Sequence, residues 1–200
     1  MNYIVKYFRE TVAGRFPDRA EELDTALDER MKALRAEHSA ASKDERFHLE
    51  SQIIPGIAAY QVLQTVMDKN EALETVHSYV ERRALKFRAV IVKLLKIPGL
   101  YRRVPVVFTK GTRKSFGESA GFSADEIQVG GGVWRLDMLK CPYNDNCIKH
   151  GCPELCRCFC DSDDVTYGDL HEKLVWHRTK TLGRGGDRCD FCVMVKGKTK

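Results

Sequence analysis

The chain has 200 residues, 43% of them hydrophobic and 30% charged, and its formal net charge at pH 7 is +5. These are values of an ordinary globular protein, and they exclude a disordered, a collagen-like or a membrane-spanning chain. A chain of this length buries a sizeable core without covalent cross-links, so its eight cysteines are not needed to hold the fold together.

The first half of the chain predicts helices. One helix starts near Asp18, and shorter helical segments are predicted over 45–54 and 57–67, interrupted by Pro55-Gly56. The helix near Asp18 has an apolar stripe at helical spacing, formed by Leu23, Leu27, Met31 and Leu34. We expect the histidines of this half to lie at the surface, or in the core with hydrogen-bond partners, and not to bind metal. They are His38, His48 and His77.

A long helix is predicted from Glu71 to about Ile97, with Asn70 as its N-cap and Pro98-Gly99 ending it. Segment 82–114, which begins within this helix, contains eleven Lys and Arg residues and no acid. A basic amphipathic helix suits an anionic membrane or a nucleic acid, and it also suits a solvated surface beside an acidic neighbour such as segment 20–30. We favour the solvated surface, and we expect no nucleic-acid partner because no aromatic platforms are interleaved with the cations.

Residues 103–121 predict a connector with a short extended piece over 106–108. The glycines at 130–132 suit a bend in an extended stretch, and 133–139 alternates apolar and polar residues as a half-buried strand does. That strand is expected to end at Cys141, before a loop.

The last fifty residues predict a helix and a hairpin. Cys152-Pro153 opens a helix that carries 154–160 and continues through the acidic 161–164. Strands over 173–182 and 188–196 are joined by a five-residue turn at 183–187. The predicted class is α+β: a helical N-terminal half, then a small antiparallel sheet with a cysteine-rich helix and a C-terminal β-hairpin. We divide the chain into a helical region, 1–104, and a cysteine-rich α+β region, 105–200, packed as one compact unit.

All eight cysteines lie between Cys141 and Cys192, and residues 1–140 contain none. Segment 1–9 has no long apolar core and no small-residue cleavage site, so we expect no secretory signal and a cytoplasmic location. Cytosolic thiols stay reduced, and clustered cysteines there more often bind metal or catalyse than form disulfides. This cluster is expected to hold the chemistry.

Spacing decides which thiols can meet. Cys152, Cys156 and Cys160 are four residues apart and share one helix face, and Cys158 points away from it. In a strand, Cys189 and Cys192 point to opposite faces, which argues against a zinc knuckle. Convergence around one pocket is expected for Cys141, Cys160 and Cys189, as a nucleophile or as soft metal ligands. We expect Cys156, Cys158 and Cys192 to be small buried apolar residues without a role in the chemistry.

Polar residues near these thiols supply acid–base and binding candidates. The acid–base candidates are Asp163, Asp164, His171 and His177. Arg178 offers a planar fork that fits a carboxylate. Because His177 and Arg178 are adjacent in the predicted strand, only one of them can share a pocket with Cys189.

Four motifs occur in this order in the tail: Cys141-Pro-Tyr, Phe159-Cys-x-x-Asp163, Arg178-Thr-x-Thr-Leu182 and Gly185-Gly-Asp-x-Cys-Asp-Phe191. Over about the last 65 residues the chain resembles the L-2-amino-thiazoline-4-carboxylate hydrolase family. The resemblance implies hydrolytic opening of a cyclic isothiourea to N-carbamoyl-L-cysteine, with a small anionic substrate, no required cofactor and no membrane span. A homodimer is left open.

The resemblance also suggests roles. Either the Cys160 thiolate adds to the ring carbon or Asp163 directs water onto it, and Cys189 and Cys141 complete the catalytic set. Substrate binding is expected from Arg178, Thr179 and His171. Five further cysteines stand outside the family pattern, at 147, 152, 156, 158 and 192. They favour an alternative in which the same fold is a metal, Fe–S or sensor protein. Its zinc or iron ligands would come from Cys141, Cys156, Cys160 and Cys189.

Overall fold

The computed structural model describes residues 1–197 and confirms the α+β class. Its helices are α1 (Tyr3–Arg15), α2 (Ala20–Glu37), α3 (Lys43–His48), α4 (Ile54–Leu63), α5 (Lys69–Leu95), α6 (Val104–Ser115), α7 (Pro142–Lys149) and α8 (Cys156–Tyr167). Its strands are β1 (Ser123–Gly130), β2 (Val133–Lys140), β3 (Leu174–His177) and β4 (Cys189–Val195). They form one antiparallel sheet in the order β1-β2-β4-β3.

The helical core follows from apolar stripes. The predicted stripe of α2 is buried, and the helix begins at Ala20 after a 3-10 turn over Pro17–Arg19. The predicted N-cap of α5 is wrong by two residues. Asp68 takes that place, because its carboxylate accepts hydrogen bonds from the backbone N–H groups of Asn70 and Glu71. The helix ends at Leu95, two residues before the predicted end.

Pro55-Gly56 does not interrupt the helical path. A π-helical segment, Leu49–Ile53, joins α3 to α4, and Pro55 lies in the first turn of α4, a position that tolerates proline. Gly56 serves packing, because an added Cβ would lie 2.6 Å from Cζ of Phe159 in α8. The glycine therefore lets the cysteine-rich helix approach α4 closely.

The predicted connector at 103–121 is wrong, because most of it is helix α6. Pro105 occupies the first turn, where proline is tolerated, and Phe108 packs on Trp134 of β2 with ring centroids 5.0 Å apart. Segment 106–108 is therefore helical and not extended. Tertiary packing of an aromatic side chain outweighs the local Gly, Ser and Lys content.

The sheet has one more strand than predicted, β1, and its strand β3 is shorter than predicted. The bend at 130–132 is confirmed, since all three glycines have positive φ angles, and it joins β2 to β1, a strand the sequence does not clearly predict. β3 ends at His177 instead of 182. Beyond it, the backbone N–H groups of Thr179 and Lys180 donate to the Asp190 carboxylate, so they leave the ladder. The turn of the hairpin is therefore longer than five residues, and Arg178 lies outside the sheet.

The main core crosses the predicted boundary at 104. It joins side chains of α1, α2, α4 and α5 to Cys147, Cys152, Leu155, Cys156, Cys158 and Phe159. The predicted loop after Cys141 is largely helix α7, which begins with Pro142. The division into two regions stays a prediction. Within 1–197, no helix has the length and apolar character that crossing a membrane requires.

Candidate functional site

A row of thiols lies along one face of α8, as the spacing predicts. The sulfurs of Cys156 and Cys160 are 4.0 Å apart. Cys147 of α7 extends the row, because its thiol is hydrogen-bonded with the thiols of Cys152 and Cys156. The bond with Cys152 raises the pKa of Cys147 and lowers that of Cys152. A hydrogen bond with Cys156, together with burial, raises the pKa of Cys160. The Cys160 thiol is therefore protonated in the resting protein.

Two cysteines lie apart from this row, again as the spacing predicts. Cys158 is buried on the other side of α8, with its sulfur 3.9 Å from the Leu73 carbonyl oxygen. Cys192 is buried on β4, opposite Arg135 of β2 and three residues from Cys189. Neither contributes to the thiol row.

The turn after β3 connects the remaining thiols to the row. The Leu182 backbone N–H donates to the sulfur of Cys189 at 3.2 Å. The next residue, Gly183, lies directly against the sulfurs of Cys156 and Cys160. Cys141 packs in the same apolar cluster as Cys189 and Leu182. The three thiols expected to converge, Cys141, Cys160 and Cys189, are thus gathered around residues 182–183.

Burial keeps these converging thiols neutral. It raises the pKa of Cys141 to about 12 and that of Cys189 to about 11, and the neighbouring Cys160 adds to both effects. A thiolate at any of these positions needs a base to take its proton.

The thiol row leaves no room for a side chain at Gly183. An added Cβ would lie 2.7 Å from the Cys156 sulfur and 2.9 Å from the Cys160 sulfur. We expect Gly183→Ala to lower the free energy of unfolding by about 1–3 kcal/mol, because the packed sulfurs must move. Denaturant unfolding measures the effect. Gly111→Ala is the matched control, since no atom lies within 4 Å of its added Cβ. An equally small change in both variants would contradict the close packing.

Asp163 and Arg178 form the polar half of the site. Asp163 lies one helical turn beyond Cys160 on the same face of α8. The Arg178 guanidinium donates to Asp163 Oδ2 at 3.3 Å, to the Cys160 carbonyl at 2.8 Å and to Asp164. Trp176 Nε1 donates to the other oxygen of Asp164 at 2.8 Å. Arg178 is 2% exposed, so this hydrogen-bonded network fixes it beside the thiols.

Asp163 is the titratable group of this network. Burial raises its pKa to about 7, Arg178 opposes the shift, and Asp164 adds to it. The Asp163 side chain is 38% exposed, so water reaches the carboxyl group. A carboxyl group that titrates near neutral pH and lies beside a thiol can take and return a proton during a reaction.

The raised pKa of Asp163 predicts a pH-dependent stability. The folded protein holds the proton up to a pH of about 7, and the unfolded chain releases it near 3.8. The contribution of Asp163 to stability is therefore full below 3.8 and is lost as the pH rises through 7. Asp163→Asn lacks this change. Chemical denaturation of both proteins across this range should show the wild type losing stability relative to the variant, and parallel curves would contradict the shift.

Three predicted site residues lie elsewhere. The Thr179 hydroxyl donates to Asp190. The His171 ring stacks on Tyr101 at 4.8 Å, beside a cavity whose lining contains no cysteine. His177 pairs with Cys192 and shares its face of the sheet, and this face is opposite to that of Cys189, three residues away on β4. The structure brings none of the three to Cys141, Cys160 or Cys189.

A second polar network, which the sequence does not predict, lies at the edge of the site. Asp161 Oδ2 lies 3.3 Å from His77 Nε2, and Asp161 Oδ1 accepts a hydrogen bond from Arg184. That hydrogen bond raises the pKa of Arg184, and the nearby Cys160 contributes to the shift. No local signal predicts this network, because α5, α8 and the turn after β3 each supply one member.

The predicted metal ligands do not form a recognisable metal centre. Within residues 1–197, no three or more His, Cys, Asp or Glu side chains are arranged so that they can hold a metal ion. Zinc or iron binding by Cys141, Cys156, Cys160 and Cys189 stays a prediction.

The fold and site define a cysteine-rich α+β protein in which thiols and an aspartate–arginine pair line a common site. Residues 46–193 match the family model described as L-2-amino-thiazoline-4-carboxylic acid hydrolase. The match spans well over half of the chain and reaches far beyond the tail motifs, so the chain belongs to this family. No curated protein and no solved structure matches the chain.

Proposed function

We propose that the protein hydrolyses 2-amino-thiazoline-4-carboxylate, or a closely related small sulfur–nitrogen heterocycle, at the Cys160–Asp163 site. The observation that carries the proposal is the position of Asp163. It lies one turn from Cys160, titrates near neutral pH and is held by Arg178. Membership of a family named for this reaction supports the substrate class.

The reaction proceeds in two balanced steps. The Asp163 carboxylate takes the Cys160 proton as the sulfur adds to the ring carbon between the ring sulfur and the two nitrogens. The carbon–sulfur bond of the ring then breaks, and Asp163 returns the proton to the departing sulfur. Water, deprotonated by Asp163, attacks the same carbon. The Cys160 sulfur leaves with that proton, the second proton of the water moves to the imine nitrogen, and the carbamoyl product carries the water oxygen.

Two arginines, Arg178 and Arg184, have different roles in the proposed reaction. The sequence assigns the substrate carboxylate to Arg178, whose guanidinium already has three protein partners. We assign Arg178 to positioning Asp163 instead. The Arg184 side chain is 58% exposed, lies near Cys160 and has one carboxylate partner, Asp161, so its remaining donors make it the cation that we propose for the substrate carboxylate. The protonated Cys141 and Cys189 thiols complete the wall, and a thiol-based reaction fits a reducing compartment such as the cytoplasm.

A ring-opening assay with metal analysis of the same purified sample tests the proposal against the metal-protein alternative. We expect loss of the thiazoline ring, with one new thiol and one carbamoyl group for each ring opened. Stoichiometric zinc or iron that depends on Cys141, Cys160 or Cys189, with no ring opening, would favour the alternative and overturn the hydrolase proposal.

A further inference from the structure

The C-terminal half of α5 exposes an apolar stripe. Its side chains follow the spacing 3, 4, 3, so they lie on one side of the helix and of the turn that follows it. They are Phe87, Val90, Leu94 and Ile97, which are 46%, 55%, 52% and 55% exposed. A contiguous exposed apolar patch that polar residues border is typical of an interaction surface.

Cations border this stripe. Lys93 and Lys96 occupy the neighbouring exposed sector of the same helical path, and α6 repeats the pattern with Val107, which is 63% exposed, between Arg103 and Lys110. Among residues 1–197, none of these four cations forms an ion pair with a carboxylate. Elsewhere, Arg35 pairs with Glu50 and Lys149 with Glu37. The acidic segment 20–30, which the sequence suggests as a neighbour, forms no ion pair with these four cations.

A basic cavity opens where the stripe ends. It has a volume of about 440 Å³, and Ile97 lines it together with the apolar Leu95 and Leu170. Three cations, Lys96, Arg102 and Lys173, and one acid also line it, and that acid, Glu172, lies 3.9 Å from Lys173. The cavity therefore suits an anionic group attached to an apolar body, which is the chemistry of an anionic lipid.

The positive charge beside the apolar stripe limits which partner can bind there. A second copy of this chain, paired through the same stripe, would bring the two basic surfaces together, and like charges repel. A nucleic acid would need stacking platforms, and three of the four stripe side chains are aliphatic. A helix with apolar residues on one sector and Lys or Arg beside them is the form that lies in the interface of an anionic bilayer.

We propose that this stripe and its cations dock the protein peripherally on an anionic membrane surface. The apolar side chains enter the boundary between headgroups and acyl chains. The cations of α5 and α6 meet the lipid phosphates and carboxylates. The thiol row lies on α8 and not on this surface.

Co-sedimentation of the full chain with vesicles tests the proposal. The probes are vesicles of phosphatidylcholine alone and of phosphatidylcholine mixed with phosphatidylserine. We expect binding to the mixed vesicles only. The double variant Lys93→Glu/Lys96→Glu should weaken it by at least about 30-fold, because each cation near such a surface contributes about fivefold. Phe87→Gln/Leu94→Gln should weaken it by at least about tenfold.

Controls separate this surface from general charge and hydrophobicity. Lys32→Glu changes an exposed lysine of α2, and Ile148→Gln changes a side chain of α7 that is 58% exposed. Both should bind the mixed vesicles as the wild type does. Equal binding by the α5 variants would overturn the proposal, as would binding to an RNA oligonucleotide or an acidic peptide with none to the vesicles.

Discussion

Replacing Cys160 with serine is expected to lower kcat for ring opening by at least about 10³-fold while the protein stays folded. A hydroxyl group holds its proton more tightly than a thiol and is the weaker nucleophile, so the carboxylate of Asp163 activates it far less readily. The substitution preserves the size and the polar contacts of the side chain. Steady-state kinetics, with unfolding curves recorded on the same preparations, measures the effect.

Cys158→Ser is the matched control for this prediction. It makes the same chemical change two residues earlier in α8, at a buried thiol on the opposite side of the helix, near the Leu73 carbonyl. Its kcat should stay within about threefold of the wild type, in line with a residue outside the reacting groups. Similar losses in both variants would show that the Cys160 effect is one of packing and not of chemistry.

Asp163→Asn is expected to lower kcat by about 10²–10⁴-fold, the range found when a general acid–base group is removed. Asparagine keeps an oxygen for Arg178 but cannot take or return a proton, so the loss should fall on kcat and leave KM nearly unchanged. In the wild type, the rate should rise with pH through about 7, because the ionised carboxylate is the active form. The variant should lose this rise.

Asp164→Asn is the control for Asp163. Asp164 is the next residue, contacts the same arginine and also accepts a hydrogen bond from Trp176. Its side chain is 51% exposed. We expect its loss to cost less than about tenfold in kcat, since it only helps to hold Arg178. If the two variants reversed this order, the proton transfers would have to be reassigned to Asp164.

The sequence predicts the elements whose signals are local. Helical spacing correctly places the α2 stripe and the shared face of Cys156 and Cys160. It fails at α6, where the local composition favours a connector and the burial of Phe108 against Trp134 decides for a helix. Register and packing partners lie in distant parts of the chain, so no window of sequence around 104–115 contains the deciding contact.

The candidate site shows the same division. The tail motifs place Cys141, Cys160 and Cys189 together, and the structure gathers them at residues 182–183. Strand alternation allows only one of His177 and Arg178 to reach the site, and the structure brings Arg178 there. The alternation does not predict that β3 ends at 177 and not at 182. The premature end depends on Asp190, whose carboxylate draws the backbone of 179–180 out of the ladder. A side chain on the partner strand thus decides which residues reach the site.

The central claim, that this chain opens the thiazoline ring hydrolytically at Cys160 and Asp163, is tested most directly by one turnover experiment in oxygen-labelled water. Mass spectrometry of the product identifies where the label lies. The two-step reaction predicts one labelled oxygen in the carbamoyl group, a free thiol on the product and no turnover by Asp163→Asn on the same timescale. Intact substrate after prolonged incubation with the folded wild-type protein would contradict the claim.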